Sequence, residues 1–405
     1  MNNQNIIATA INGINFRSLS SAIRFSIPIG ILFISNESQL GLYYLALSIL
    51  LTGSTFLGIE LGYFFSTKYL SKESKNLSLI FNELVSRSLL ISISSCLIVF
   101  SIFIIFNQDL DLYFFFLPLL FAIEACSYEI GRFFWNIGEV KQASKRDFIK
   151  SIFFVIAVFS SIALTESVIS IYSIGIIIAS NILIISYEVK IWGSLKELFP
   201  QTTKEKFFHI SNFFDFIRSV VKTCGPQFIQ NQVIGFTMLV EKLFITALIG
   251  LSAQGAYSFI YSIVQTSAAL FLMPAAAKTK QIIISDHPHF NDPYIYRFAL
   301  KYLPTVILFI SVFSFFAVIF VPILGEVLNK NIAENLIIVT IAVFFSSSAN
   351  AFMSSVSPLY SHKGRWIRAN MYSSLMLIPF LLVFISSEFL NIYLELIVFI
   401  SIAIS

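Results

Sequence analysis

The sequence predicts an all-α, polytopic membrane protein with about twelve transmembrane helices in two six-helix lobes. Three observations lead there. The chain is 57% apolar and only 12% charged, with a mean hydropathy of +0.84. A soluble domain would carry about 25% charged residues. Apolar stretches long enough for a bilayer core, which takes roughly 20 residues as a helix, recur along the whole chain. Finally, the charges alternate from gap to gap. All but Arg24, Lys242 and Lys330 of the 26 Lys and Arg residues lie near the N-terminal segment or in and beside the gaps after even-numbered segments. The other gaps carry Glu37, Asp109, Asp111, Glu166, Glu326, Glu334 and Glu388. Basic loops stay cytoplasmic, so the alternation predicts an inner-membrane protein with a cytoplasmic N-terminus.

The expected spans are 16–35, 40–66, 84–106, 112–135, 148–165, 168–188, 225–249, 253–277, 302–323, 333–357, 369–387 and 389–405. Each must be helical, because lipid offers an open backbone no hydrogen-bond partner. The first ends in the apolar run Phe25 to Ile34, and the second opens after the short turn Asn36 to Gln39. Lys68, Lys72 and Lys75 precede the third, and Asn107 to Asp111 separates it from the fourth. A basic stretch with Lys141, Lys145 and Arg146 leads into the fifth, and Thr165 to Ser167 turns it back into the sixth. Such short outer gaps force antiparallel hairpins. The last span is short and has no basic tail. These crossings and their loops use nearly the whole chain, leaving no room for a soluble catalytic domain.

Domain boundaries follow from the longest gap. Residues 1–188 form the N-terminal lobe, 189–224 a cytoplasmic amphipathic linker, and 225–405 the C-terminal lobe. The linker holds Lys190, Lys196, Lys204, Lys206, Arg218 and Lys222 among several phenylalanines. Phe207, Ile210, Phe214 and Ile217 fall at helical spacing, which suits a helix lying on an anionic leaflet. The lobes look related. Gly41-Leu42-Tyr43 with Ser48-Ile49 recurs as Gly255-Ala256-Tyr257 with Ser262-Ile263, a G-x-Y-x4-S-I pattern shifted by 214 residues. A weaker echo pairs Gly138 and Ala143 with Gly364 and Ala369. Six spans per lobe give both halves the same orientation, so the repeat is parallel and substrate is expected between the lobes.

A charge at mid-membrane costs about 2.5–3.5 kcal/mol on insertion scales, so it normally faces a bundle interior or a wet cavity. The candidates for a substrate-binding lining are Arg24, Glu60, Glu124, Glu129, Arg132, Glu241 and Lys242. Arg24 precedes Pro28 by one turn, and its planar fork of donors suits phosphate oxygens; the alternative is that it snorkels to the inner interface. Glu241 and Lys242 lie mid-run and point about 100° apart, so each needs a partner elsewhere or water. Arg132 is close enough on its helix to pair with Glu129, while Glu124 and Glu60 have no local cation.

Other chemistry is excluded or unsupported. No G-x-x-x-x-G-K-[ST] loop occurs, which argues against ATP hydrolysis in this chain. His287-Pro288-His289 lacks further metal ligands, and His209 and His362 stand apart. Cys96, Cys126 and Cys224 have no metal spacing. The net charge of +4 fits loops facing an anionic leaflet and is no sign of nucleic-acid binding. The N-terminal stretch lacks a charged region, a compact apolar core and a cleavage site, so no removable signal peptide is expected. Ser267, Ala268, Ala269 and Ala275 to Ala277 are expected to allow close helix approach.

Three stretches resemble a known family. SNESQLGLYYLALSILLTGSTFLGIELG (Ser35 to Gly62) resembles the first hairpin of Wzx-type O-antigen flippases, and VEKLFITALIGLSAQGAYSFIYSIV (Val240 to Val264) resembles their seventh and eighth helices. RFFWNIGEVKQASKRDF (Arg132 to Phe148) resembles the basic loop after their helix four. These flippases belong to the multidrug/oligosaccharidyl-lipid/polysaccharide exporter superfamily, so the resemblance implies a MOP/MATE-like fold. It also implies a non-enzymatic role: moving an undecaprenyl-diphosphate-linked oligosaccharide, the O-antigen repeat unit, from the cytoplasmic to the periplasmic leaflet by alternating access. The implied partners are that glycan, the bilayer, and the polymerase and chain-length regulator of polysaccharide assembly. Arg24 and Lys242 are the candidates for the diphosphate. No cofactor is implied, and Glu60, Glu124 or Glu241 are the candidates for coupling to H+ or Na+. The competing reading is an ion-coupled multidrug exporter of the same superfamily. An O-antigen polymerase or glycosyltransferase fits less well, because the longest external gap is only the stretch around Gly325 to Ala333.

Overall fold

The computed structural model describes residues 3–70, 77–106, 112–193, 210–248, 250–252, 254–259, 261 and 262. Regular structure among them is entirely helical: α1 (Asn3–Ile34), α2 (Glu37–Gly58), α3 (Leu61–Leu70), α4 (Leu77–Phe106), α5 (Leu112–Asn136), α6 (Val140–Thr165), α7 (Ile171–Trp192) and α8 (Ile210–Leu248). Residues 254–259 are helical as well. Among the described residues, five helices are long and apolar enough to cross a membrane: Phe16–Ile34 of α1, α2, Leu77–Ile98 of α4, α6 and α7. The protein is an all-helical, multi-pass membrane protein. Phe33, Leu97, Ile98, Leu164 and Leu183 are exposed on these helices, as lipid-facing side chains would be. The expected spans from 302 onward, most of 253–277, residues 194–209 of the linker, the Gly364 and Ala369 echo and all four histidines lie outside the described residues.

The described residues fall into two compact units. The first holds those up to Arg24 and from Ala46 to Gly235, and the second those from Phe25 to Leu45 and from Phe236 onward. In the first unit α5 is central, packing on α3, α4, α6 and α7. It is also the helix that carries Glu124, Glu129 and Arg132. The two facts are linked, because a helix with three charges is stable in a bilayer only when its neighbours screen those charges from lipid. Around it, Leu61, Phe65, Phe81, Leu84, Ile130, Phe133 and Phe134 form a buried core. Phe216 of α8 packs against that core and stacks on Phe65 at 6.2 Å between ring centroids.

Three boundaries differ from the expectation. The second span is not one helix: Ile59 and Glu60 take left-handed backbone angles, φ 52° and 62°, and separate α2 from α3. The segment resembling a basic loop is mostly helix, since only Ile137 to Glu139 connect α5 to α6, and Lys141 to Phe148 lie on α6. Residues 210–224, expected in the linker, are continuous with span seven in one 39-residue helix. Within it Val220 and Cys224 are buried, Ile217 packs on the core and the Arg87 guanidinium lies 3.7 Å from the Phe216 ring centroid, while Phe214 of the expected stripe is exposed. The hairpin of α6 and α7 is as tight as its sequence suggests. Glu166 closes α6 with φ 59°, and the Ser170 side chain caps α7. The Ser161 hydroxyl ties the two together, donating to Ser167 O at 2.6 Å.

Candidate functional site

The break between α2 and α3 builds the first polar cluster. Two non-glycine residues in the left-handed region cost on the order of 1–3 kcal/mol each, so surrounding contacts must hold them there. The Glu60 carboxylate is fully buried and ion-pairs with Arg132 of α5. The same carboxylate accepts from Asn231 Nδ2 of α8 at 2.7 Å. Glu129, also fully buried, uses Oε2 to accept the backbone N–H of Gly62 at 2.6 Å. Glycine is required at 58 and 62, because a Cβ at either position would collide with Glu129. The sequence expectation that Arg132 pairs with Glu129 is therefore corrected: its ion pair is with Glu60, which the left-handed turn brings under α5. Nor is Glu60 without a cation. Two carboxylates share one guanidinium here. Glu60 Oε2 and Glu129 Oε1 are buried with no hydrogen-bond partner among the described residues.

A second network joins α5, α6 and α7. Glu124, expected to lack a cation, ion-pairs with Lys150 of α6. Asn181 Nδ2 donates to its other oxygen at 2.7 Å, and the Ser127 hydroxyl donates to Asn181 Oδ1 at 2.6 Å. Arg146 closes the network, ion-paired with Glu188 and donating to Ser127 O at 2.7 Å. Sequence reasoning missed Arg146, Lys150, Asn181 and Glu188. The signal was there: Arg146 and Lys150 are four apart on α6, and Asn181 and Glu188 seven apart on α7, so each pair lines one helix face.

Arg24 is different. It lies inside a candidate span, yet it is exposed and no carboxylate pairs with it among the described residues. Its Nε donates to Ser151 Oγ at 2.9 Å. Ser151 is itself fixed, donating to Asp147 O at 2.7 Å and lying 2.8 Å from the Ser20 hydroxyl. Asp147 in turn pairs with Arg17 at 3.6 Å, and the Arg17 guanidinium stands 4.9 Å from the Trp135 ring centroid. Of Arg17, Arg24, Arg132, Arg146 and Lys150, only Arg24 has no acidic partner among the described residues. One edge of its fork is anchored, and its two Nη groups remain for an anion.

Of the other expected site residues, Lys242 is half-buried on α8, in the second unit, and its backbone carbonyl accepts from Thr246 Oγ1 at 2.8 Å. Glu241 is on the same helix, with its side chain outside what the structure describes. The structure thus gathers Glu60, Glu129 and Arg132 into one cluster and sets Glu124 in another. Arg24 stands apart from both, bound to α6.

No protein-family model matches the chain, and no curated protein matches it. Solved structures do. An aspartate-to-asparagine mutant of the Vibrio cholerae MATE transporter VcmN aligns with TM-score 0.65 at 10% identity, covering 99% of this chain and 92% of that one. A multidrug resistance MATE family transporter of the MOP superfamily, in its outward-facing conformation, aligns with TM-score 0.66 at 11% identity over 98% and 91%. The MATE multidrug transporter DinF-BH aligns with TM-score 0.62 at 13% identity over 99% and 94%. The chain has the MATE transporter fold; at these identities the likeness concerns the fold alone.

Proposed function

We propose that this chain is an exporter of the bacterial inner membrane, with its N-terminus cytoplasmic, that flips an undecaprenyl-diphosphate-linked oligosaccharide from the cytoplasmic to the periplasmic leaflet. The observation that carries the reading is Arg24. It is a cation within a membrane span, anchored through Nε by Ser151 and without a carboxylate among the described residues. A site for cationic drugs would want the opposite sign, whereas a diphosphate needs a fork of donors that no protein acid already occupies. The sequence names Lys242 as the other candidate cation for the diphosphate. The resemblance of Ser35 to Gly62 and Val240 to Val264 to Wzx-type flippases supports the same cargo, and the MATE fold supports export as the activity.

Two six-helix lobes would rock about the substrate in alternating access. An inside-negative potential favours outward movement of an anion by about 2.3 kcal/mol per charge per 100 mV. The cation coupling expected from the sequence is assigned to Glu60 with Glu129, each of which has a buried carboxylate oxygen unpartnered among the described residues. Glu124 is already balanced by Lys150.

The test is complementation of a flippase-deficient strain, scoring surface polysaccharide and fluorescent-dye efflux side by side. The expected result is restored polysaccharide, lost again in Arg24→Ala and Lys242→Ala at unchanged membrane abundance. Dye efflux without polysaccharide would assign the chain to multidrug export instead. Full rescue by both variants would remove the diphosphate site.

A further inference from the structure

Within the first compact unit, the start of α6 lies beside the end of α7, and there the two helices share a polar contact on their exposed side. The Lys145 ammonium donates to the Tyr187 hydroxyl at 3.3 Å and stands 5.2 Å from the ring centroid. Lys141, one helical turn before Lys145, and Lys190, one turn past Tyr187, are both exposed. Three ammonium groups and a phenol thus gather at one end of the hairpin. In the other direction the same helix faces turn apolar: Ile152 and Ile156 on α6 and Leu183 on α7 are exposed. No acid of the hairpin balances these lysines. Asp147 is paired with Arg17 and Glu188 with Arg146, and among the described residues no carboxylate ion-pairs with Lys141, Lys145 or Lys190.

We propose that this end of the hairpin holds the phosphate of an anionic diacyl phospholipid, whose acyl chains lie on Ile152, Ile156 and Leu183. Three physical arguments carry it. First, Lys141 and Lys145 stand in the opening turns of α6, where the helix dipole is already positive and disfavours a cation. They are also four residues apart, a spacing at which like charges repel. Neither lysine therefore stabilises its helix, and an anion from outside the chain relieves both conflicts. Second, Lys145 is folded onto Tyr187 instead of reaching away from the membrane, as a snorkelling lysine does. The Tyr187 oxygen accepts from that ammonium, so its own O–H is left to donate to a phosphate oxygen. Third, the surface changes from cationic to apolar within about two helical turns, which matches a lipid and not a soluble phosphate. The lysines belong to the basic gaps that the positive-inside rule assigns to the cytoplasm, so the lipid is one of that leaflet.

The site is independent of the cargo, so its test reads lipid binding and not transport. The full chain is delipidated in detergent and titrated with phosphatidylglycerol, phosphatidylcholine, undecaprenyl phosphate or glycerol 3-phosphate, and retained molecules are counted by native mass spectrometry. The expected result is one phosphatidylglycerol retained several-fold better than phosphatidylcholine. Lys141→Gln with Lys190→Gln should reduce that preference several-fold. Arg218→Gln with Lys222→Gln removes the same charge from exposed positions on α8 and should leave it unchanged. Tyr187→Phe keeps the ring and removes only a hydroxyl, so it reads the site even if the double variant folds poorly; its preference should fall between parent and double variant. Equal losses in the two double variants, or a Tyr187→Phe preference equal to the parent's, would overturn the proposal. Glycerol 3-phosphate retained as well as the phospholipid would make this a plain phosphate site and overturn it too. So would undecaprenyl phosphate retained in preference to phosphatidylglycerol, which would make the surface a landing place for cargo.

Discussion

Glu129 reaches from α5 to the first turn of α3 and accepts the Gly62 backbone N–H at 2.6 Å, so a side chain from one helix caps the start of another. The cap lies next to two strained residues, Ile59 and Glu60. An anion at a helix N-terminus satisfies an orphan donor and opposes the helix dipole. Glu129→Ala leaves that donor buried and unpaired, and is expected to lower stability by about 1–3 kcal/mol. Glu129→Gln retains an acceptor and should lose less. Thermal unfolding of the detergent-solubilised protein, read by tryptophan fluorescence, ranks the two; equal losses would mean that the charge, not the hydrogen bond, holds the turn.

Arg146 and Glu188 form an ion pair almost wholly out of solvent between α6 and α7. Removing one member strands the other, which costs about 3–5 kcal/mol. Arg146→Met or Glu188→Leu alone should sharply reduce the yield of folded protein. The double replacement should recover much of it, because two apolar side chains leave no buried charge. Size-exclusion profiles of the three variants in one detergent check the order.

Ser151 positions Arg24 without being placed to bind an anion itself. Ser151→Ala should weaken export only partly, since the cation remains while one anchor is removed. Arg24→Lys keeps the charge and discards the fork, and is expected to fall between Ser151→Ala and Arg24→Ala. Graded polysaccharide display at matched expression is the measurement; an Arg24→Lys variant as active as the parent would show that charge alone suffices.

Glu166 is exposed, holds φ 59° at the end of α6, and donates its N–H to Ile162 O at 2.9 Å. A left-handed residue with a Cβ costs roughly 1–2 kcal/mol relative to glycine, which adopts that region freely. Glu166→Gly should therefore raise the unfolding midpoint, and Glu166→Val should lower it; thermal melts of the two variants beside the parent check the order.

The helices were legible because their signal is local. The apolar run from Phe25 to Ile34 declares a span wherever it is folded, and so do the runs that became α6 and α7. The gap from Thr165 to Ser167 likewise permits little besides a tight hairpin. Errors appeared where local pattern was silent about strain. Nothing in Ile59-Glu60 announces a left-handed turn, since both residues ordinarily avoid it. The boundary expected after residue 224, between linker and span, is absent, because α8 runs through it.

The helical class, and the long apolar helices among the described residues, follow from composition and periodicity, which each segment carries wherever it ends up. Charge partners do not. Glu60 had no cation within reach along the chain and found Arg132 across a helix interface; Glu124 found Lys150 in the same way. Arg24 is one of several membrane-depth charges in the sequence. It stood out as the cation without an acidic partner among the described residues only once its neighbours had chosen each other. Electrostatic pairing acts over a few ångströms of space, and only the packed fold decides which residues those ångströms contain.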